Sequence, residues 1–227
     1  MIWNDLLELI YPNLCPGCRH PLIKGEQIIC TKCMFSLPYT DFHTYRENPV
    51  FNKLKGRIPL KQAFSLLHFR KKGIVQNLLH ELKYNKNEDV GLSLGARLGM
   101  IIQKSMKDKY DFLVPVPIHP KKIKKRGYNQ SEIIAKGLSG KLDIEINSQQ
   151  LIRKTEGKSQ TKKGRIDRWQ NVKDQFQIID IEIFKEKRIL LVDDVMTTGA
   201  TLEACGELLF SAGANELSVA VLANAQK

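Results

Sequence analysis

Two carboxylates stand side by side at the end of an apolar run, and a loop of small hydroxyl residues follows them: Ile189-Leu190-Leu191-Val192-Asp193-Asp194-Val195-Met196-Thr197-Thr198-Gly199-Ala200-Thr201. The loop is chemistry for a phosphate. Backbone N–H groups at the start of a helix attract anions, the hydroxyls of Thr197, Thr198 and Thr201 add donors, and Gly199 with Ala200 lets the backbone come close. The acids need another partner, because a carboxylate about 4 Å from a phosphate charge is repelled by roughly 4 kcal/mol at an effective dielectric near 20. Ionised carboxylates only accept hydrogen bonds, so Asp193 and Asp194 suit the 2- and 3-hydroxyls of a ribose whose 5-phosphate lies in the loop. A divalent cation is the alternative partner for such oxygens. A dinucleotide site would put glycines in the loop and its acid about 20 residues later, and a P-loop would show Gly-Lys-Ser/Thr. Neither pattern follows this strand.

A second group begins at Val114-Pro115-Val116-Pro117-Ile118-His119-Pro120 and ends at Arg126-Gly127-Tyr128-Asn129-Gln130. A cis bond before proline costs only about 0.5–1 kcal/mol, so unusual peptide geometry around Val116 and Pro117 could turn N–H groups toward a diphosphate. Arg126 can grip phosphate oxygens bidentately, while Asn129 and Gln130 would fix the loop or meet the ligand. His119, beside a proline, reads as a turn residue. Four further residues have metal-ligand spacing: Cys15-Pro16-Gly17-Cys18, eleven residues, then Cys30-Thr31-Lys32-Cys33. Two such pairs favour a closed four-thiolate zinc site with a structural role over disulfides, redox thiols or a degenerate, unmetallated site. Cys205, in the helix after the phosphate loop, reads as a small core residue.

Several elements must position these groups. Arg188–Val192 reads as a buried strand, followed by a loop and a helix from Leu202 to Ala212 that stops at Gly213, then a last strand over Leu217–Leu222. Upstream, Ala63–Phe69 reads as a strand, Ile74–Tyr84 and Leu92–Met106 as helices, Asp111–Pro117 as a strand, and Ser131–Leu142 as a helix with Ser131 as its N-cap. Trp3, Leu6, Leu7 and Ile10 have helical spacing. Strands alternating with helices predict an open, mostly parallel α/β sheet. The polar stretch Thr40–Asn48 after Pro38 reads as a linker, which divides the chain into 1–40, carrying the cysteines, and 41–227.

At 227 residues, 42% hydrophobic and 26% charged, the composition is that of an ordinary globular chain and excludes disordered and membrane-embedded classes. The first residues lack a basic segment and a cleavable apolar stretch, so a cytoplasmic address without membrane insertion is expected. The formal charge of +12 points to anionic partners, phosphorylated metabolites or nucleic acid. Much of it lies in Lys121–Arg126 and in 153–168. Aromatic residues are only 7% and scattered, so no single-strand stacking platform is legible.

The stretch Ile189–Thr201 resembles the 5-phosphoribosyl 1-diphosphate (PRPP) motif of type I phosphoribosyltransferases. Over nearly the whole chain the sequence is similar to the competence protein ComF family, which joins a cysteine module to a phosphoribosyltransferase-like domain. Val114–Pro120 with Arg126–Gln130 resembles that family's diphosphate segment and R-G-[FY]-N-Q signature, Gln160, Arg168 and Asn171 fit its Q-x7-R-x2-N spacing, and Leu82-Lys83-Tyr84 matches its L-K-Y. Lys163 stands where an apolar residue is common. The resemblance implies a PRPP pocket served by Mg2+, with Asp193 and Asp194 as catalytic acids on the ribose. Thr197–Thr201, Val116, Pro117, Arg126, Asn129, Gln130, Gln160 and Arg168 would bind substrate, the last two from a basic lid. It implies pentosyl transfer to a nitrogenous acceptor, or a non-catalytic factor of natural transformation that handles single-stranded DNA beside helicase-like and recombination-mediator partners and uses the pocket for sensing.

Overall fold

The computed structural model describes residues 12–105, 110–154 and 175–225. The expected N-terminal helix, the end of the Leu92–Met106 helix, and Gln160, Arg168 and Asn171 of the basic lid lie outside the described residues.

A buried asparagine organises the first part of the main sheet. Asn48 accepts from the N–H groups of Val50 and Phe51, capping helix α2 (Pro49–Leu54), and its amide donates to the carbonyls of Phe42 and Ala63. Strand β1 (Ala63–Phe69) follows, then α3 (Ile74–Tyr84), whose Val75, Leu78, Leu79 and Leu82 are buried. Both have the expected bounds. Helix α4 (Glu88–Ser105) starts four residues before the expected Leu92, because Glu88 and Asp89 suit the positive end of a helix dipole. Strand β2 (Phe112–Pro115), α5 (Pro120–Arg126) and α6 (Gln130–Leu142) come next. The cap of α6 is Asn129, whose Oδ1 accepts from Ser131 N at 3.1 Å, and not Ser131; the Ser131 hydroxyl is used elsewhere. Helices α4 and α6 touch backbone to backbone: a Cβ on Gly95 would lie 2.4 Å from Ile134 O, and one on Gly137 2.3 Å from Leu92 O.

After the short β3 (Glu145–Ile146), an antiparallel ribbon of β4 (Leu151–Arg153) and β5 (Phe176–Ile178) brackets the basic segment. Then come β6 (Arg188–Met196), α7 (Ala200–Ser211) and β7 (Glu216–Ala225). The main sheet has the order β1-β7-β6-β2-β3, and every pairing is parallel. The expected α/β architecture is therefore observed. Leu190 and Val192 of β6 enter one core with α3, α4 and α6, while Ile189 and Leu191 enter the other with α2 and α7. Burial on both faces explains why this strand reads as a continuous apolar run. From β2 the chain turns outward to β3, and from β6 it turns the other way to β7, so the crevice beyond the carboxyl ends of β2 and β6 is the switch point where open α/β sheets bind ligands.

The cysteines sit on a knuckle closed by a bridge between Leu14 and Pro21 and on the start of α1 (Thr31–Phe35), capped by Cys30. Cys15, Cys30 and Cys33 belong to the same core as Leu78, Leu79 and Leu82 of α3. Asn77 Nδ2 of α3 donates to Gly17 O at 2.8 Å, and Arg19 pairs with Glu81 of the same helix. Among the described residues no helix is long and apolar enough to cross a membrane.

Candidate functional site at the carboxyl end of the sheet

Strand β6 runs four residues past the expected end at Val192. Asp193, Val195 and Met196 keep register with Val221, Ala223 and Asn224 of β7, so both acids are held by the sheet rather than by the loop after it. Asp193 Oδ1 accepts from the Ser131 hydroxyl at 3.0 Å and from Asp194 N at 2.8 Å. Burial pushes the Asp193 carboxyl up to about 7, with Asp194 adding repulsion and the two hydrogen bonds opposing both. Lys83 Nζ at the end of α3 lies 2.7 Å from Asp194 Oδ2. Lys83 and Asp194 border a cavity of ≈ 610 Å³ together with Thr197.

The hydroxyl loop turns at Gly199, where φ is +83°, directly into α7. A side chain there would be strained by that φ, and its Cβ would meet Leu54 at 2.9 Å. Thr197 and Thr198 are exposed, and the loop's carbonyls face the protein: Lys53 Nζ lies 3.4 Å from Thr197 O and Arg57 3.3 Å from Thr198 O. The Thr198 hydroxyl accepts from Ala200 N at 3.4 Å, and the two exposed threonines stand at a helix N-terminus, the end that attracts an anion. Helix α7 begins at Ala200, two residues before expectation, so Thr201 lies in its first turn.

Beyond β2, Val116 N donates to Val192 O at 2.8 Å, which carries the pairing with β6 past Pro115. No cis peptide occurs among the described residues, so the unusual geometry expected around Val116 and Pro117 is not found; the N–H of Val116 serves the sheet. Val116 is buried and Pro117 half-buried. The Asn129 amide donates to Val116 O at 3.0 Å while its oxygen caps α6, so both ends of this side chain hold the protein. Gln130 is buried. Arg126 ends α5 with its guanidinium 5.3 Å from the centre of the Tyr84 ring, beside Lys83. His119 caps α5, its Nδ1 accepting from Lys121 N at 3.1 Å. The structure thus brings together Asp193, Asp194 and the Thr197–Thr201 loop, sets the β2 exit beside them, and carries Arg126 to the Lys83–Tyr84 corner. Sequence reasoning missed Lys83, Ser131, Lys53 and Arg57 as parts of this arrangement. Lys83 stood only inside a motif match, and Ser131 was read as a cap.

At the other site the four cysteine Sγ atoms lie within 4.8 Å of one another, and Cys18 and Cys30 are 3.7 Å apart. Tetrahedral zinc with bonds of about 2.3 Å places its sulfurs roughly 3.8 Å apart, so the cluster fits such an ion. Burial works to raise the Cys15 thiol, but N–H groups of Cys30, Cys18 and Gly17 bring it down to about 7. Burial and the neighbouring thiols push Cys33 up. Four sulfurs leave no open position, so this centre could hold a metal but not activate a substrate on it. Cys205 is wholly buried in the α7 core.

A parallel sheet with an acid pair and a hydroxyl loop at its switch point defines a phosphoribosyltransferase-like protein, and residues 123–227 match the family of phosphoribosyl transferase domains. Competence protein F of Haemophilus influenzae is 36% identical over 229 residues, covering 96% of this chain and 93% of that protein. The DNA utilization protein YhgH of Escherichia coli is 25% identical, covering 93% and 96%, and competence protein ComFC of Bacillus subtilis is 25% identical, covering 93% and 84%. The chain belongs to the competence protein F (ComF) family. A solved structure titled as the allosteric regulatory enzyme of purine biosynthesis aligns with 63% of this chain at 22% identity and a TM-score of 0.44; this chain spans 29% of that one.

Proposed function

We propose that the chain binds PRPP at the carboxyl end of β6. The observation that carries this reading is the paired placement of Asp193 and Asp194 near the end of a buried strand, two residues before an exposed hydroxyl loop at a helix N-terminus. The loop takes the 5-phosphate, the two carboxylates take the ribose hydroxyls, and Arg126 meets the diphosphate with Gln160 and Arg168 of the basic segment. The donors offered by the protein here are carboxylate oxygens, which suit Mg2+; with phosphate oxygens completing its shell, that ion would neutralise the diphosphate. In a transfer reaction the pentosyl group passes to a nitrogenous acceptor and diphosphate leaves. The cysteine cluster holds a structural zinc ion.

Calorimetry with PRPP and Mg2+ on the wild type and on Asp193→Asn/Asp194→Asn tests this. The double variant is expected to lose most of its affinity, because amides are weaker acceptors than charged carboxylates. Equal affinity in the two proteins removes the acids from the site.

A second reading, handling of single-stranded DNA in natural transformation, is favoured by one observation besides the relatives' names. Lys121, Lys122, Lys124 and Lys125 of α5 are all exposed, on the short helix whose last residue, Arg126, reaches the Tyr84 corner of the pocket. The two readings are compatible.

A further inference from the structure

Helix α2 and the turn after it lie along the start of α7, against the hydroxyl loop. The packing is close. A Cβ on Gly199 would meet Leu54 at 2.9 Å, and one on Gly206 would meet Ile58 at 2.9 Å, so the segment from Leu54 to Ile58 follows α7 over its first two turns. Leu54 and Ile58 are buried, and the turn between them is closed by Arg57 N and Ile58 N, which donate to Leu54 O at 3.0 and 3.3 Å. This segment delivers two cations to the loop. Lys53 Nζ, 3.4 Å from Thr197 O, is also held by Asn224 Oδ1 and Ala225 O at the end of β7. Arg57 Nη1 lies 3.3 Å from Thr198 O and 3.2 Å from Oε2 of Glu203, a buried acid in the first turn of α7. Each cation is therefore fastened to the protein as well as to a loop carbonyl.

We infer that Lys53 and Arg57 are positioning residues for the hydroxyl loop: they hold the carbonyls of Thr197 and Thr198 toward α2 and so turn the N–H groups of Thr198 and Gly199 toward the 5-phosphate. The inference rests on the proposed sugar-phosphate site and adds what shapes its phosphate end. A trans peptide points its N–H opposite to its C=O, and no cis bond occurs among the described residues. A carbonyl drawn to a cation on the α2 side therefore sends the next N–H to the other side. Gly199 leaves the peptide before it free to turn either way, so the choice of orientation falls to a partner outside the loop. A carbonyl oxygen turned toward the phosphate would repel it. The two cations take both oxygens out of its path, and their charge adds to the positive end of the α7 dipole. Both residues act through the loop's backbone rather than on the reacting atoms.

Ribose 5-phosphate and inorganic diphosphate, each titrated with Mg2+ by calorimetry into the full chain, separate this role from general support of the fold. Ribose 5-phosphate reports on the hydroxyl loop, whereas the groups proposed for diphosphate, Arg126 among them, lie off it. Arg57→Ala and Lys53→Met are each expected to weaken ribose 5-phosphate about tenfold, toward the low end of what a hydrogen bond to a charged group contributes, and to leave diphosphate unchanged. Arg57→Lys, which keeps the charge, should fall between the wild type and Arg57→Ala. Arg57 is exposed and Lys53 half-buried, and diphosphate binding by the same samples shows that the variants are folded. Wild-type affinity for ribose 5-phosphate in the double variant Lys53→Met/Arg57→Ala overturns the inference while the sugar-phosphate site stands. Equal losses for the two ligands overturn it as well, because they mark the pair as a prop for the whole site. If the wild type itself binds neither ribose 5-phosphate nor PRPP, the proposed function falls first and the positioning role with it.

Discussion

A carboxyl group accepts most strongly from a sugar when ionised, and Asp193 is held close to the point where it is not. Its half-buried position and the adjacent Asp194 raise it to about 7 from an ordinary value near 3.8. The folded protein therefore holds this proton more tightly than the unfolded chain, so Asp193 contributes stability that is full below about pH 4 and is lost as pH rises through about 7. Replacing Asp193 with Asn removes that loss. Thermal melts at pH 5 and pH 8 should show the wild type losing more stability than the variant between the two, and the variant melting a few degrees higher at pH 8, at roughly 2–4 °C per kcal/mol for a chain this size. Parallel pH dependence of the two proteins would show that Asp193 is not strained in the folded state. The acids and the loop were legible in the sequence because they are contiguous: one strand end and one helix start supply them all. Lys83 was not, since nothing local distinguishes a lysine in the last turn of an amphipathic helix from a solvated one. Its partner lies more than a hundred residues away and is set only by the sheet order.

Helix α3 links the two centres of the molecule. Its bounds were readable from periodicity, because Val75, Leu78, Leu79 and Leu82 mark one face. What periodicity could not give is what lies on either side: the cysteine knuckle against Asn77 and Glu81, and the ligand site at Lys83 and Tyr84. The boundaries that moved did so for reasons outside local pattern. Strand β6 extends through the acids because β7 is there to pair with them, and the cap of α6 passed from Ser131 to Asn129 because the serine hydroxyl is committed to Asp193. Metal analysis of protein purified without added zinc should give one zinc per chain. Stripping it with a chelator should loosen α3 and weaken PRPP binding, because Lys83, which pairs with Asp194, is on α3. Unchanged PRPP affinity in the metal-free protein would show that the knuckle does not position the helix.

For the whole molecule, a net charge of +12 is more than one phosphorylated ligand requires. If the exposed lysines of α5 serve a nucleic acid, affinity for single-stranded DNA should fall with salt at roughly 0.7 log units per log unit of salt for each phosphate contacted. Neutralising Lys121, Lys122, Lys124 and Lys125 should flatten that slope. A slope that those changes leave untouched places any DNA elsewhere, and undetectable binding at low ionic strength discards the DNA-handling role. The parallel α/β class was legible because strands and helices alternate along the chain, but the sheet order was not: β1 and β7 are neighbours although almost every other element separates them in sequence.

That neighbour relation governs the order in which the protein can come into being. Among the described strands β1 pairs with β7 alone, with Ala63 opposite Val219 and Phe69 opposite Ala225, its other edge carrying a single bridge from Leu67 to Tyr39, and β7 follows every other strand described. During synthesis β1 and α3 are made well before β7, the strand that joins them to the main sheet, and closing so long a loop is intrinsically slow. The same strand also supplies Asn224 and Ala225, whose oxygens lie 3.1 and 2.8 Å from the Lys53 amine that reaches toward the hydroxyl loop. A nascent chain therefore cannot complete its ligand site piecemeal; the arrival of one late strand joins the early half to the sheet and fastens the loop in the same event.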